Sequence, residues 1–122
     1  MTPTMAQTPT VLAADTLTGD KVVNRQKEDL GKIDHLMIDL ETGRIAYAVL
    51  SFGGFLGMGD KLFAIPWSAL ALDTVEKRFI LNVEKELLKH APGFDKDHWP
   101  NMADRGWGAQ VFTYYGAKPY WD

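Results

Sequence analysis

The stretch 44–67 places the strongest constraint on how this chain can fold. Two apolar runs, 44–52 and 61–67, flank a loop that contains four glycines. Glycine adopts the positive φ that tight loops need, and Val, Ile, Tyr and Phe suit a pleated surface, so the pattern predicts a β-hairpin. Residues 45–50 are all apolar, so we expect this first strand to be central and covered on both faces.

A change of parity in the preceding segment, 31–40, predicts a β-bulge. Ile33 lies at an odd position, whereas Leu36, Ile38 and Leu40 lie at even positions. The side chains of a regular strand alternate between faces, so such a strand cannot place both sets on one face. One extra residue near Asp34 or His35 would bring the two apolar sets onto one face. Bulges bend strands, and bent strands allow a small sheet to close.

Further short segments with β-strand character lie on both sides of the hairpin. Turn residues separate them at short intervals, and we expect most neighbouring strands to be antiparallel. The sequence therefore predicts a mainly β fold, a small closed or nearly closed barrel of about six strands, because closure removes exposed edges. The predicted strands cover 21–24, 31–40, 44–52, 61–67, 71–73 and 78–83, after a short strand or lead-in at 11–17.

After Val83 the sequence predicts an aromatic, partly helical extension, 84–122. The chain has six Phe, four Trp and four Tyr residues, and eight of these aromatic residues lie between positions 94 and 121. We expect Asn82 to cap a short helix over 84–89. We expect Asn101 to cap a second helix of about fifteen residues ending before Gly116. At helical spacing, one face of the second helix would hold Trp107, Val111, Tyr114 and Tyr115.

The remaining segment, 1–10, contains two prolines and four threonines without a periodic pattern, and we expect a disordered arm. With this arm set aside, the barrel covers 11–83. A length of 122 residues fits one domain with such an extension.

Composition excludes several classes of function. The net charge is −3, from 13 basic and 16 acidic residues, which lacks the basic excess typical of nucleic-acid binders. The absence of cysteine excludes disulfides, thiolate metal sites and cysteine nucleophiles. The sequence shows neither a membrane span nor a signal peptide, so we expect a cytoplasmic protein without membrane insertion.

The glycine-rich loop does not have the pattern of a phosphate-binding P-loop. Gly54 and Gly59 have the required spacing, but Asp60 stands where lysine should follow, and a strand rather than a helix comes next. A hairpin loop is the favoured interpretation. The loop region is unusually apolar, and its large side chains either fold back onto the barrel or meet a partner. These side chains are Phe52, Phe55, Leu56 and Met58.

Two other groups of residues could in principle carry chemistry, and both favour a structural interpretation. His35, Asp39 and Ser51 could meet as a triad, but no nucleophile elbow surrounds Ser51. His90 and His98 lie eight residues apart across a Pro-Gly pair, so no single helix presents them together as metal ligands. We therefore expect no catalytic residue, metal or cofactor.

Four segments of the chain resemble the PRC-barrel domain family. They read Leu-Gly-Lys-Ile at 30–33, Met-Ile-Asp at 37–39, Thr-Gly-Arg-Ile-Ala-Tyr-Ala-Val-Leu at 42–50 and Phe-Ala-Ile-Pro-Trp at 63–67. The resemblance covers roughly 17–83. The extension is similar to one that many stand-alone members carry, at 91–97, 99–100, 114–116 and 119–121.

The resemblance implies a small β-barrel that serves as an interaction module without shared catalytic residues. The family is named for the cytoplasmic domain of the photosynthetic reaction centre H subunit and also occurs in a ribosome-maturation factor. The membrane helix of the former and the additional N-terminal domain of the latter are not recognisable in this sequence. The resemblance therefore transfers neither specific role.

We accordingly predict a non-catalytic protein-interaction or scaffold domain that forms a homodimer and binds an unidentified protein. The alternative is a ribosome- or RNA-associated assembly factor, which would require a clustered basic face including Lys21, Lys32 and Arg44. Whether the aromatic extension caps its own barrel or a second subunit is left open by the sequence. The candidate interaction residues are Phe52, Phe55, Leu56, Met58, Trp107, Tyr114, Tyr115, Tyr120 and Trp121.

Overall fold

The computed structural model describes residues 11–55 and 59–122, and within them six β-strands and two α-helices form the fold. One 3₁₀ turn, Ala14–Thr16, precedes β1, and a second, Trp67–Ala69, joins β4 to β5. The strands are β1 (Lys21–Val23), β2 (Asp29–Ile38), β3 (Ile45–Phe55), β4 (Gly59–Pro66), β5 (Leu70–Asp73) and β6 (Arg78–Leu81), and the helices are α1 (Lys85–Lys89) and α2 (Arg105–Tyr115).

The strands form one curled sheet in the order β4-β3-β2-β1-β6-β5. All neighbours are antiparallel except β1 and β6, which are parallel. The 3₁₀ turn Trp67–Ala69 joins the two edge strands, β4 and β5, so the sheet must curl to bring its edges together. No ladder joins these edges in the described residues, and the sheet is therefore a half-barrel. The prediction of a mainly β, barrel-type fold of about six strands is confirmed, but without complete closure.

The bulge predicted in β2 is present. Ile33 pairs with Leu50 and His35 with Val49, so Asp34 has no partner residue in β3. Beyond the bulge, Leu36 packs against the same core as Ile33, as the parity argument requires.

The parity argument is wrong for the last residues of this segment. A second register shift lies between Met37 and Ile38. Ile38 is 45% exposed, and Leu40, beyond the end of the strand, is 92% exposed. Both side chains therefore leave the face that the first bulge sets up.

Strand β3 is the buried centre of the sheet, as predicted, and both of its faces are covered. On one face, Ala48 and Leu50 belong to the inner core, which fills the concave side of the sheet. On the other face, Tyr47 belongs to the outer core, which lies between the sheet and the C-terminal extension. The β3–β4 pairing, from Tyr47 opposite Pro66 to Phe55 opposite Gly59, confirms the predicted hairpin.

Helix α2 ends where predicted but begins later. Gly116 ends it in the left-handed conformation, with φ of 65°. At the start, the Asp104 carboxylate accepts hydrogen bonds from the N–H groups of Gly106 and Trp107. The predicted cap at Asn101 is wrong, because Asn101 closes a separate turn by accepting the N–H of Ala103.

The cap predicted for the first helix is also wrong. Helix α1 begins after Glu84, which makes no side-chain capping bond. Between β6 and α1, the N–H of Val83 donates to the carbonyl of Leu81 and forms a tight turn. Asn82 lies inside this turn, two residues before the cap position, and is exposed.

The extension covers part of the free edge of β4. The N–H and C=O groups of Leu62 and Phe94 exchange two hydrogen bonds of 2.8 Å. Gly93 permits this approach, because a Cβ there would lie 2.9 Å from the carbonyl oxygen of Leu62. Pairing at this point protects an edge that would otherwise present unpaired backbone groups.

In the part of the chain that is described, no helix is long and apolar enough to cross a membrane.

Candidate interaction surface

Two members of the candidate triad, His35 and Asp39, take part in separate structural contacts. The His35 ring packs edge-on against Trp99, with a centroid distance of 5.3 Å. The Asp39 carboxylate accepts the hydroxyl of Thr42 at 2.7 Å and orders the β2–β3 turn. Ser51 is buried in β3, opposite Lys32 of β2. These are the contacts expected of a packed strand and an ordered turn.

The histidines of the extension likewise make local contacts. His98 Nδ1 and Asp95 Oδ1 are 2.7 Å apart, and this hydrogen bond is the main cause that lowers the pKa of Asp95. The ring of His90 donates to the carbonyl of Glu86. Within 11–55 and 59–122, no group of three His, Asp or Glu side chains is arranged to hold a metal ion.

The aromatic extension packs on the outer face of the sheet around Tyr47. Three rings surround that of Tyr47 at centroid distances of 5.3 to 5.8 Å, those of Trp107, Phe112 and Tyr120. Tyr47 is fully buried, and its hydroxyl has no hydrogen-bond partner among the described residues. Burial, and secondarily the neighbouring Tyr120, raises the pKa of Tyr47. This outer core includes two of the predicted interaction residues, Trp107 and Tyr120.

The other aromatic candidates are also half-buried on their own chain. The Tyr114 hydroxyl donates to the carbonyl of Leu87, which joins α2 to α1. Tyr115 packs against both cores, and burial raises its pKa. Trp121 packs edge-on against Phe112 at 5.6 Å. The extension thus caps its own sheet, which was one of the two alternatives, and its contact with a partner stays a prediction.

The tip of the β3–β4 hairpin is described only in part. Phe52 is 5% exposed and belongs to the inner core, with its ring 6.4 Å from that of Phe63. Its side chain therefore folds back onto the barrel. Leu56 and Met58 lie outside the described residues, and for Phe55 only the backbone position, at the end of β3, is described.

A groove of about 550 Å³ lies between the β2–β3 hairpin and the extension. The hairpin forms one wall with Met37, Ile38 and Leu40, and the extension forms the other with Trp99 and Met102. The floor comes from the sheet and the outer core. Its other lining residues are Asp39, Glu41, Ala46, Tyr47, Pro100, Asn101, Ala103, Arg105 and Tyr120.

Exposed apolar side chains concentrate at this groove. Of the seven large apolar side chains exposed in the described residues, three line it: Ile38, Leu40 and Trp99. Trp99 is held in place because its ring packs against both His35 and Phe94, the latter at 5.1 Å. Contiguous exposed apolar surface of this kind is typical of interaction sites, and single exposed residues are not.

The two walls of the groove carry opposite charges. The hairpin wall contributes Asp39 and Glu41, and the extension wall contributes Arg105. The guanidinium of Arg105 lies 5.3 Å from the ring centroid of Trp121, which holds it beside the outer core. No ion pair joins Glu41 to Arg105 among the described residues.

Sequence reasoning missed most of the residues that line this groove. The parity argument assigned Ile38 and Leu40 to the core, because a single bulge is enough to place all the apolar residues of this segment on one face. The available signal was Leu40, an apolar residue directly before the turn 41–43, where a side chain is usually exposed. The aromatic candidates do not identify the groove, and only Tyr120 lines it.

Comparison with known proteins identifies the family. No curated protein matches the sequence. A solved structure from Pseudomonas aeruginosa, the 16S ribosomal RNA processing protein RimM, is similar with a TM-score of 0.42 and 20% identity over 66% of this chain and 48% of that one. The match spans about half of that protein, and a likeness this distant indicates nothing about what the present chain binds. The model of the PRC-barrel domain matches residues 9–88, and the chain therefore belongs to the PRC-barrel domain family.

Proposed function

We propose that this chain is a non-catalytic protein-interaction domain that forms a homodimer through the groove between the β2–β3 hairpin and the extension. The observation that carries the proposal is the concentration of Ile38, Leu40 and Trp99 at one concave surface. Burying such side chains stabilises a complex by roughly 25 cal/mol for each Å² removed from water. Met37 and Met102 add adaptable apolar surface, which is common at binding sites.

The charge pattern of the groove favours a second copy of the chain as the occupant. In a twofold dimer, the same patch on each copy meets its counterpart. A twofold axis running along the groove places the hairpin wall of one copy against the extension wall of the other. Glu41 of each copy then faces the partner's Arg105, and the pair occurs twice.

Leu40 supplies the apolar part of this contact. It lies beside the β2–β3 turn with 92% of its surface exposed. Under the same twofold axis it faces the partner's extension wall, where Trp99 and Met102 are available. This arrangement removes the most exposed apolar residue of the described chain from water.

Sedimentation equilibrium of charge-reversal variants tests the dimer. We expect Glu41→Lys and Arg105→Glu each to weaken dimerisation by about tenfold, because each reversal changes two symmetric ion pairs. Combining the two reversals restores opposite charges across the interface and should recover most of the affinity. We expect Leu40→Lys to yield monomers.

Val75→Lys is the matched control, because Val75 is 83% exposed and lies outside the groove. This variant should dimerise like the natural chain. A natural chain that stays monomeric at millimolar concentration would refute the homodimer. Equal weakening in the single and double charge reversals would show that Glu41 and Arg105 do not meet across the interface.

A further inference from the structure

We propose that a second, shallow cavity beside β1 and β2 binds phosphate groups. The observation behind it is a row of basic residues in register across three neighbouring strands. Lys21 of β1 is directly opposite Lys32 of β2 and is also the register partner of Arg78 in β6. Residues paired in this way present their side chains on the same face of a sheet.

The two lysines are a like-charged pair that nothing in the described chain neutralises directly. Like charges directly opposite each other destabilise an antiparallel pair. Arg78 has its own partner, because its Nε lies 3.5 Å from the carboxylate of Asp73. Neither Lys21 nor Lys32 forms an ion pair with another described residue. An anion bound between them would convert this repulsion into attraction.

The surface between the lysines has room for such an anion. A cavity of about 280 Å³ lies there, and three of its seven lining residues are glycines. At Gly19 the space that a Cβ would take is open, with no atom within 4 Å. One acidic residue, Asp29, also lines it, but its carboxylate accepts the N–H of Gly31 at 2.9 Å. The lining residues are Gly19, Lys21, Asp29, Gly31, Lys32, Ser51 and Gly53.

Phosphate is the anion whose chemistry fits this site. It carries a charge of about −1.5 to −2 near pH 7 and several strong acceptor oxygens, so it can accept from two ammonium groups at once. The charge of the two lysines exceeds that of Asp29, and a doubly charged ligand gains more here than a single carboxylate does. Free phosphate supplies this double charge, whereas each phosphodiester of a nucleic-acid backbone carries one negative charge. Both present anionic oxygens that could lie between the two lysines.

NMR titration with inorganic phosphate tests the site. Chloride at matched ionic strength serves as the reference, and the amides of Gly19, Gly31 and Gly53 serve as reporters. We expect phosphate to shift these three amides and chloride to leave them nearly unchanged. Removing one lysine charge, in Lys21→Gln or Lys32→Gln, should weaken phosphate binding about fivefold.

Lys118→Gln is the control, because Lys118 is exposed and does not line the cavity. It should bind phosphate like the natural chain. The proposal is overturned if chloride shifts the three amides as far as phosphate does, or if Lys21→Gln and Lys32→Gln bind phosphate unchanged.

A ten-nucleotide uridine RNA distinguishes the two sources of phosphate. If a nucleic-acid backbone is the ligand, the RNA displaces phosphate, and its affinity falls with added salt and in both glutamine variants. If free phosphate is the ligand, only inorganic phosphate shifts the reporters. RNA binding that survives in both glutamine variants would overturn the assignment of RNA to this cavity.

Discussion

Replacing Gly108 with alanine tests the tightest contact of the outer core. A Cβ on Gly108 would lie 2.5 Å from the Tyr47 hydroxyl oxygen and 3.1 Å from two ring carbons of Trp121. Tyr47 is fully buried, and Gly108 lies within α2. Neither side of the contact can retreat without moving other packed groups, because protein interiors are close to crystalline density.

The expected effect is a net loss of stability. Forcing one extra carbon into a packed core costs about 1–3 kcal/mol. Alanine in place of glycine inside a helix returns about 1 kcal/mol. We therefore expect Gly108→Ala to lower the free energy of unfolding by about 1 kcal/mol, between about 0 and 2 kcal/mol.

The Tyr47 hydroxyl is the atom responsible, and Tyr47→Phe removes it. Because this hydroxyl is buried without a hydrogen-bond partner in the described part of the chain, its removal alone should leave stability unchanged or raise it by up to about 1 kcal/mol. In the Tyr47→Phe background, the nearest contact of the alanine at 108 is the Trp121 ring at 3.1 Å. We expect a coupling free energy of about 1–2 kcal/mol between the two substitutions.

Urea denaturation of the two single variants and the double variant measures this coupling. The comparison requires an unchanged m-value, so that a shift in the midpoint reports stability. Gly106→Ala is the control, because a Cβ there meets only the exposed Asp104 carboxylate at 3.2 Å. Because it adds no contact with the outer core, it should leave stability unchanged or raise it by up to about 1 kcal/mol through the helix preference of alanine. An equal loss from Gly108→Ala with and without the Tyr47 hydroxyl would refute the reasoning.

Three further predictions concern the edge, the basic row and the buried tyrosines. Gly93→Ala should break the Leu62–Phe94 bridge and lower the free energy of unfolding by about 1–3 kcal/mol, because the new Cβ lies 2.9 Å from a backbone oxygen. Hydrogen exchange should accelerate at the amides of Leu62 and Phe94, and unchanged protection of these amides would contradict the prediction. Lys32→Glu places a carboxylate opposite Lys21, so it should raise the midpoint of thermal unfolding at low salt by an amount equivalent to about 0.2–1 kcal/mol. An equal rise in 1 M salt would argue against an electrostatic cause. Burial raises the folded-state pKa of Tyr47 and Tyr115, so stability should be full below pH 10 and fall as pH rises above about 10, where the unfolded tyrosines ionise. Urea midpoints between pH 8 and 11.5 should show this fall, with a smaller fall in Tyr47→Phe.

The sequence predicts the central hairpin well because burial on both faces leaves a simple pattern. Residues 45–50 are apolar without alternation, and the glycines after them are few enough to mark one loop. The bulge at Asp34 was predictable for a related reason. A period-two pattern records every inserted residue as a change of parity, as long as one face is buried.

Helix starts were less predictable, because several polar residues compete for the same role. Asn101 and Asp104 are both good capping residues, and each closes a turn in the structure. Only the three-dimensional path of the chain decides that the helix begins after Asp104. Similarly, the helical spacing that selected Trp107 and Tyr114 did not select Phe112, which is 2% exposed and lies at the centre of the outer core.

The groove was beyond the reach of sequence patterns because a second irregularity creates it. With one bulge, Ile38 and Leu40 would continue the buried face that Ile33 and Leu36 begin. The second register shift, between Met37 and Ile38, turns the end of β2 out of the core and toward the extension. Exposed apolar side chains next to a turn are costly in a monomer, and contact with a second copy would remove that cost. The second register shift, which the sequence pattern does not reveal, is therefore what brings Ile38 and Leu40 to the surface that we propose as the dimer contact.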